Sequence, residues 1–323
     1  MISPSSPPPL PASKTVSTVL GPVPLHTIGL TDAHNHVWIN PPAGVAPGAP
    51  VLNDYGASLR ELLLFHQAGG RALLDFQPYG CGRDARLLRQ LARESGVHLI
   101  TCTGFHLRKY YPPESPLWEL STEAASELFI REITLGTEET LSERDPAPVQ
   151  AGFIKAACEA TLEASPRHLF EAAACAARQT GAMVAVHTEK GASAEQIVDF
   201  FHRQGLPPTR LMLCHIDKRP DPLLHQELAR AGVLLEYDTF FRPQYHPEER
   251  LWPLLEAMGK ADLCGSIALA TDLADLSMWA STGKGPGLAS LPLIIRAHLL
   301  ERGFNPAEVQ AMLGENVLQR LAG

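Results

Sequence analysis

The sequence predicts an α/β protein of the (β/α)8 class, a single-domain TIM barrel of parallel strands each followed by a helix. Three observations predict it. Short apolar runs recur along the chain, each followed by a segment of helical periodicity. Several of these runs are continuously apolar, as strands covered on both faces are. No glycine fingerprint follows the first run, which ends instead in "DAHNHVWINPP", so an open dinucleotide-binding sheet is disfavoured. At 323 residues the chain can hold one barrel of about 250 residues with insertions.

The elements follow in order. Residues 1–15 open with "MISPSSPPPLPASK", too rich in proline to fold and without the apolar core of a signal peptide, and are read as a flexible tail. Residues 16–323 form the barrel. Its strands are "HTIGLTDAH", "RALLDF", "VHLITCTG", "AGFIKAA", "GAMVAVHT", "RLMLCHI", "GVLLEYD" and "GSIALATD". Between them lie the helical patterns "SLRELLLFHQ", "RDARLLRQLARES", "STEAASELFIREI", "PRHLFEAAACAARQ", "SAEQIVDFFHRQ", "PLLHQELARA" and "PEERLWPLLEAM". "LASLPLIIRAHLLERG" and "NPAEVQAMLGENVLQRL" follow the last strand. The long connections come after strands 1, 3 and 8, and all leave the C-terminal face of the barrel, where active sites are built.

Composition narrows the function. The chain is 45% hydrophobic and 19% charged, with a net charge of −8 and no basic run, which argues against a nucleic-acid partner. No apolar stretch approaches the ~20 residues of a membrane span. The six cysteines show no CxxC spacing and sit mostly in apolar runs, the pattern of buried free thiols in a reducing cytoplasm.

Polar residues gather at the strand ends. Strand 1 finishes with His34 and His36, strand 5 with His187, strand 6 with His215 and strand 8 with Asp272. Strand 4 carries Lys155 within "GFIKAAC". Taken singly, a strand-end histidine is a hydrogen-bonded rim residue, and Asp272 a helix cap. A lysine in an apolar run must be neutralised, paired or chemically altered, because an isolated buried ammonium is too costly. Together, on the matching ends of five strands, these residues point to a metal site.

This set resembles the phosphotriesterase-related family of the amidohydrolase superfamily. The resemblance runs from about residue 16 to the C-terminus and extends through "GGRALLDFQPYGCGRDARLLRQLARESGVHLITCTGF", "YYPP", "IREITLG" and "GENVLQRLA". It implies two divalent metal ions, usually zinc, with manganese or cobalt as alternatives. It further implies that Lys155 is carboxylated by CO2 to a carbamate bridging the two metals. His34, His36 and Asp272 then complete the first metal's shell, and His187 and His215 the second's, with a bridging hydroxide. Asn35 is a spacer that varies in relatives. The implied chemistry is hydrolysis of an ester-like bond in a small-molecule substrate, with Asp272 taking the proton from the nucleophile to the leaving group. Relatives often pair, which implies a homodimer.

"HTEKG", "CHIDKRPDP" and "GKGPG" look most like the sugar-lactone branch, whose members open phosphorylated furanose lactones. The expected reaction is therefore hydrolysis of a lactone or carboxylic ester. Phosphotriester hydrolysis, or metal-retaining binding with little turnover, is the alternative. Arg108, Lys109, Lys218, Arg219 and Arg242 either meet an anionic substrate or are solvated surface charge. Tyr79 and Trp279, like Trp38, Tyr110 and Tyr111, either wall the pocket or pack the loops. "DLADLSMW" departs from the branch by placing Asp275 and Leu276 where basic residues would hold a phosphate, so phosphorylation of the substrate stays open.

Overall fold

A strand covered on both faces sends alternate side chains into two different cores. The computed structural model, which describes residues 14–141 and 147–322, has a sheet of eight strands built this way. An antiparallel hairpin precedes them, β1 (Thr15–Thr18) with β2 (Gly21–Pro24). The barrel strands are β3 (Thr31–Asn35), β4 (Ala72–Asp75), β5 (His98–Gly104), β6 (Phe153–Ala157), β7 (Val184–His187), β8 (Leu211–Cys214), β9 (Leu234–Tyr237) and β10 (Ile267–Leu269). They are parallel and adjacent in chain order.

Around them lie α1 (Tyr55–Gln67), α2 (Ala85–Ser95), α3 (Thr122–Thr134), α4 (Glu138–Leu141), α5 (Arg167–Thr180), α6 (Ala194–Arg203), α7 (Pro222–Arg230) and α8 (Leu251–Lys260). The C-terminal α9 (Arg296–Glu301), α10 (Pro306–Gln310) and α11 (Asn316–Leu321) follow. Several of these helices start where a short polar side chain meets the free backbone donors of the first turn. Asp54 accepts from Ala57 N, Asp84 from Arg86 N, Ser121 from Ala124 N and Asp221 from Leu223 N.

Parity sorts the two cores. Val184, Val186, Leu211 and Leu213 pack outward against the helices. Ala185, Met212, Cys214 and Phe153 fill the barrel interior. Ile154 faces the helices, so Lys155, two residues on from Phe153, falls on the inner face and is fully buried. All six cysteines are free thiols, five of them buried. Among the described residues, no helix is long and apolar enough to cross a membrane.

Two features depart from the sequence reading. The expected first strand, residues 26–34, is a short 3-10 turn over Leu25–Thr27 followed by a strand that starts only at Thr31. The hairpin ahead of it was unforeseen. Its Val16 joins Ile28, Ala33, Val317 and Leu318 in closing the N-terminal end of the interior, so Thr15 is already paired rather than tail. Of the proposed tail, residues 1–13 lie outside the described residues.

Closure between β10 and β3 rests mainly on side chains. Thr271 Oγ1 donates to Asp32 Oδ2 at 2.6 Å, and Asn35 Nδ2 donates to Asp32 Oδ2 at 3.0 Å and to Thr271 Oγ1 at 2.6 Å. Asn35 Oδ1 accepts from His36 N at 2.9 Å and Leu273 N at 3.2 Å. One backbone bond, Asp272 N to His34 O at 3.1 Å, completes the seam. Asn35 is thus a clasp, not a spacer. Replacing Asn35 with Ala strands two buried backbone donors and is expected to lower stability by about 3 kcal/mol in urea unfolding. A loss below about 0.5 kcal/mol would show that the seam does not depend on it.

Candidate metal centre

His34, His36, Lys155, His187, His215 and Asp272 line one cavity of about 120 Å³ at the C-terminal mouth of the barrel. His34 and His215 lie 4.6 Å apart between ring centroids, and His187 and His215 lie 4.7 Å apart. Asp272 Oδ1 is 4.0 Å from His34 Nε2 and 3.9 Å from His36 Nε2, while its Oδ2 is 3.9 Å from His215 Nδ1. The ligand atoms of His34, His36 and Asp272 all fall within 4.8 Å of one another.

Three of the four imidazoles hydrogen-bond a protein acceptor through one nitrogen. His36 Nδ1 meets Gln77 Oε1 at 3.0 Å, and the Gln77 carboxamide is oriented by Nε2 donating to Cys81 O. His187 Nε2 meets Glu189 Oε1 at 3.1 Å. His215 Nδ1 hydrogen-bonds Asp238 Oδ2, whereas His34 Nδ1 lies 3.5 Å from Glu236 Oε2 without a hydrogen bond. A nitrogen that donates to such an acceptor carries the proton, so the other nitrogen keeps its lone pair, the state a metal requires. The residues therefore fit divalent cations. Burial favours the neutral form of three of these rings, taking His36 and His187 down to about 3 and His34 well below its ordinary range.

Lys155 has no carboxylate partner among the described residues. Its Nζ donates to Phe76 O at 2.9 Å and stands 5.4 Å from the Phe76 ring centroid, and burial lowers its pKa. Room for its strand comes from Gly104, with φ +99°, where any Cβ would lie 1.9 Å from Lys155 O. His215 (φ 60°) and Asp272 (φ 44°) both occupy the left-handed region, which non-glycine residues seldom adopt. Strain of this kind persists where the surroundings over-determine the backbone.

A family model matches residues 14–321, that of the Phosphotriesterase family. The chain belongs to the phosphotriesterase family. A phospho-furanose lactonase of Mycoplasmopsis synoviae (strain 53) is 27% identical over 309 residues, covering 90% of this chain and 84% of that protein. An N-acetyltaurine hydrolase of Bos taurus is 30% identical over 273 residues, covering 73% of this chain and 76% of that protein. The crystal structure of a lactonase from Listeria monocytogenes shares the fold, with a TM-score of 0.86 at 20% identity over 95% of this chain and 98% of that one. These relatives of the phosphotriesterase family are hydrolases.

The expected substrate contacts are placed unevenly. Lys218 lines the cavity. It has no ion pair among the described residues, and its Nζ is 5.5 Å from the Tyr245 ring centroid. Burial opposes its charge, yet Asp238, Asp272 and Asp217 raise its pKa. Arg242 is committed to Asp272, with Nη2 2.7 Å from Oδ2. Arg219 donates through both Nη1 and Nη2 to Glu195, each at 2.9 Å. Arg108 and Lys109 are exposed, over the Trp118 and Tyr110 rings at 5.4 and 5.0 Å. Neither lines the cavity.

Trp279 is packed in the core, its Nε1 donating to Leu273 O at 2.9 Å. Tyr79 turns toward Glu138, with its hydroxyl pushed up to about 12 by burial and that carboxylate. Asp275 is exposed and caps a turn by accepting from Ser277 N at 2.7 Å, so it does not oppose an anion inside the cavity.

Sequence reading missed Gln77, Glu236, Asp238 and His106. The two acids of "LLEYD" sit two residues apart in an apolar strand, a parity signal that marks them for the interior. Burial together with the Asp238 and Asp217 carboxylates raises the Glu236 pKa well above the usual range. Asp238 is held low by His215 and Lys218 despite its burial. Replacing Asp238 with Ala is expected to weaken zinc affinity about 10–100-fold, measured by competition with a chelator, while the circular dichroism stays that of the folded protein. Unchanged affinity would remove Asp238 from any role in orienting His215.

Proposed function

We propose that the protein is a binuclear metal-dependent hydrolase that opens a lactone or carboxylic ester. One observation carries this reading: His34, His36, Lys155, His187, His215 and Asp272, drawn from five strand ends, share one cavity. His34, His36 and Asp272 would hold one divalent ion and His187 and His215 the other. Zinc is the first choice for a set of nitrogen and oxygen donors, with manganese or cobalt as alternatives. Held there, two such ions would supply a water acidified to near-neutral pKa and a polarised carbonyl.

The chain's own residues do the rest. A buried Lys155 kept as free amine adds to CO2, forming an N–C bond and releasing one proton, and the resulting carbamate is the anion that two cations at this place need. Asp272, pointed into the cavity and steadied by Arg242, takes the proton of the attacking water and passes it to the leaving oxygen. Apart from Lys155, Lys218 is the one lysine or arginine of the cavity lining, and without an ion pair among the described residues it would hold an anionic group of the substrate. Ile39, Pro41, Ala49 and Pro50 give that substrate an apolar wall.

A second reading, hydrolysis of an N-acyl amide, is favoured by the N-acetyltaurine hydrolase relative and by this single free cation, which suits one sulfonate or carboxylate. A panel of lactones, aryl esters and N-acetyl amides, turned over by zinc-, manganese- and cobalt-loaded protein, separates the two. Hydrolysis of no member by protein carrying two metals per chain would refute both.

Replacing Lys155 with Ala is expected to remove one metal per chain by elemental analysis and to reduce the rate by more than about 100-fold, since losing an outer-shell partner alone costs 10–100-fold. A short carboxylic acid added to this variant should restore part of both. Two bound metals and an undiminished rate would refute the carbamate. Asp272→Asn is expected to lower kcat about 10²–10⁴-fold, and a kcat within about threefold of wild type would show that another group moves the proton.

A further inference from the structure

His106 follows β5 and lines the cavity beside His187, with ring centroids 5.2 Å apart. It is no part of the ligand set. On its other side it packs against Tyr110 at 4.5 Å. Its position is fixed at the backbone, where His106 N donates to Tyr111 Oη at 3.0 Å, and Tyr111 Oη in turn donates to Tyr79 O at 3.0 Å.

The ring state is legible from one contact. Leu107 N donates to His106 Nδ1 at 2.8 Å, so Nδ1 carries no hydrogen and the ring N–H is on Nε2. Among the described residues, Nε2 has no hydrogen-bond partner, and it is not among the sealed, unsatisfied atoms. It therefore opens on the cavity. The neighbouring polar groups are otherwise committed. Gln77 serves His36 and Cys81, Asp272 accepts from Arg242, and His187 and His215 are tied to Glu189 and Asp238. Lys218 offers a charge. His106 offers a fixed, neutral donor.

We propose that His106 Nε2–H donates a hydrogen bond to an uncharged oxygen of the substrate, making His106 a specificity-determining residue that favours hydroxylated acyl compounds over plain alkyl ones. The proposal rests on the hydrolase reading for its setting, but not for its test. A site that hydrogen-bonds a substrate hydroxyl leaves its own donor unpaired when that hydroxyl is missing, and so rejects the alkyl analogue. An anion alone would need only Lys218.

The test uses zinc-loaded full-length protein, its His106→Phe variant, which deletes the donor, and its His106→Gln variant, whose amide nitrogen is the same number of bonds from Cβ as Nε2. Equal metal content and equal melting temperature establish that the variants are folded. Calorimetry then compares binding of D-ribonate with that of pentanoate, two carboxylates of one chain length that differ in their hydroxyls. Wild type is expected to prefer D-ribonate, His106→Phe to lose about tenfold of that preference, and His106→Gln to regain most of it.

A preference unchanged in His106→Phe, no preference in wild type, or a nitrogen spectrum placing the ring hydrogen on Nδ1 would each overturn the assignment. Turnover of D-ribono-1,4-lactone against γ-butyrolactone distinguishes the two levels. Wild type that shows the His106-dependent preference in binding but hydrolyses nothing refutes the hydrolase reading and leaves His106 as the donor.

Discussion

The barrel closes at its β3–β10 seam through Asp32, Asn35 and Thr271, and the geometry of the cavity depends on that clasp. β10 is only three residues long, too short to set a register by backbone bonds alone. Two carboxylate oxygens, one carboxamide and one hydroxyl instead hold the strands together, fully buried, where every such bond is protected from water. The consequence is local and functional at once. Asn35 stands between His34 and His36 and bonds the backbone of His36 and of Leu273, while Asp272 N bonds His34 O. Three candidate ligands from opposite ends of the chain are thereby set by one network, and the left-handed backbone of Asp272 is held by the same contacts.

The opposite side of the cavity is organised by acids. Glu236 of β9 and Asp238 just after it stand behind His34 and His215, and the four together form a second group able to hold a metal. For His215 the bond to Asp238 fixes which nitrogen bears the proton and how the ring is turned, two properties that matter to a metal ligand. The arrangement also explains why three carboxylates, Asp217 among them, can be buried side by side. One oxygen on each lacks a protein partner, so the group is electrostatically unfinished without cationic neighbours. Lys218 and Arg242 are such neighbours, and divalent ions held in the cavity would be others.

How far the sequence discloses this depends on what kind of signal each residue leaves. Barrel topology was legible because strand and helix alternation is a repeated pattern, and Lys155 because charge inside an apolar run is conspicuous. The bracketing histidines and Asp272 were legible as strand-end polar residues once the topology placed all strand ends together. Asn35 was not, because its partners are Asp32, three residues away, and Thr271, 236 residues away, and no local periodicity encodes a contact across a seam. Arg242 and Arg219 read as free cations because sequence shows charge and not pairing, whereas Asp272 and Glu195 hold them. Trp279 read as a pocket wall for a similar reason. An aromatic in a loop is silent about direction, and this one turns inward to Leu273 O.

That pairing bears on what the cavity selects. Of the cations near the mouth, Arg242 and Arg219 are matched by carboxylates, and Arg108 and Lys109 lie over aromatic rings at the exposed rim. A dianionic phosphate held by several basic side chains requires several free cations, and of the basic residues just named with Lys218 only Lys218 lines the cavity without an ion pair among the described residues, its charge already balanced in part by Asp238, Asp272 and Asp217. One ammonium suits one negative charge. The remaining affinity must then come from uncharged contacts: the apolar wall from Ile39 to Pro50 and the neutral donor of His106. Above the cluster of candidate ligands the cavity thus offers one ammonium, an apolar wall and one neutral donor, while its neighbouring arginines are matched by carboxylates.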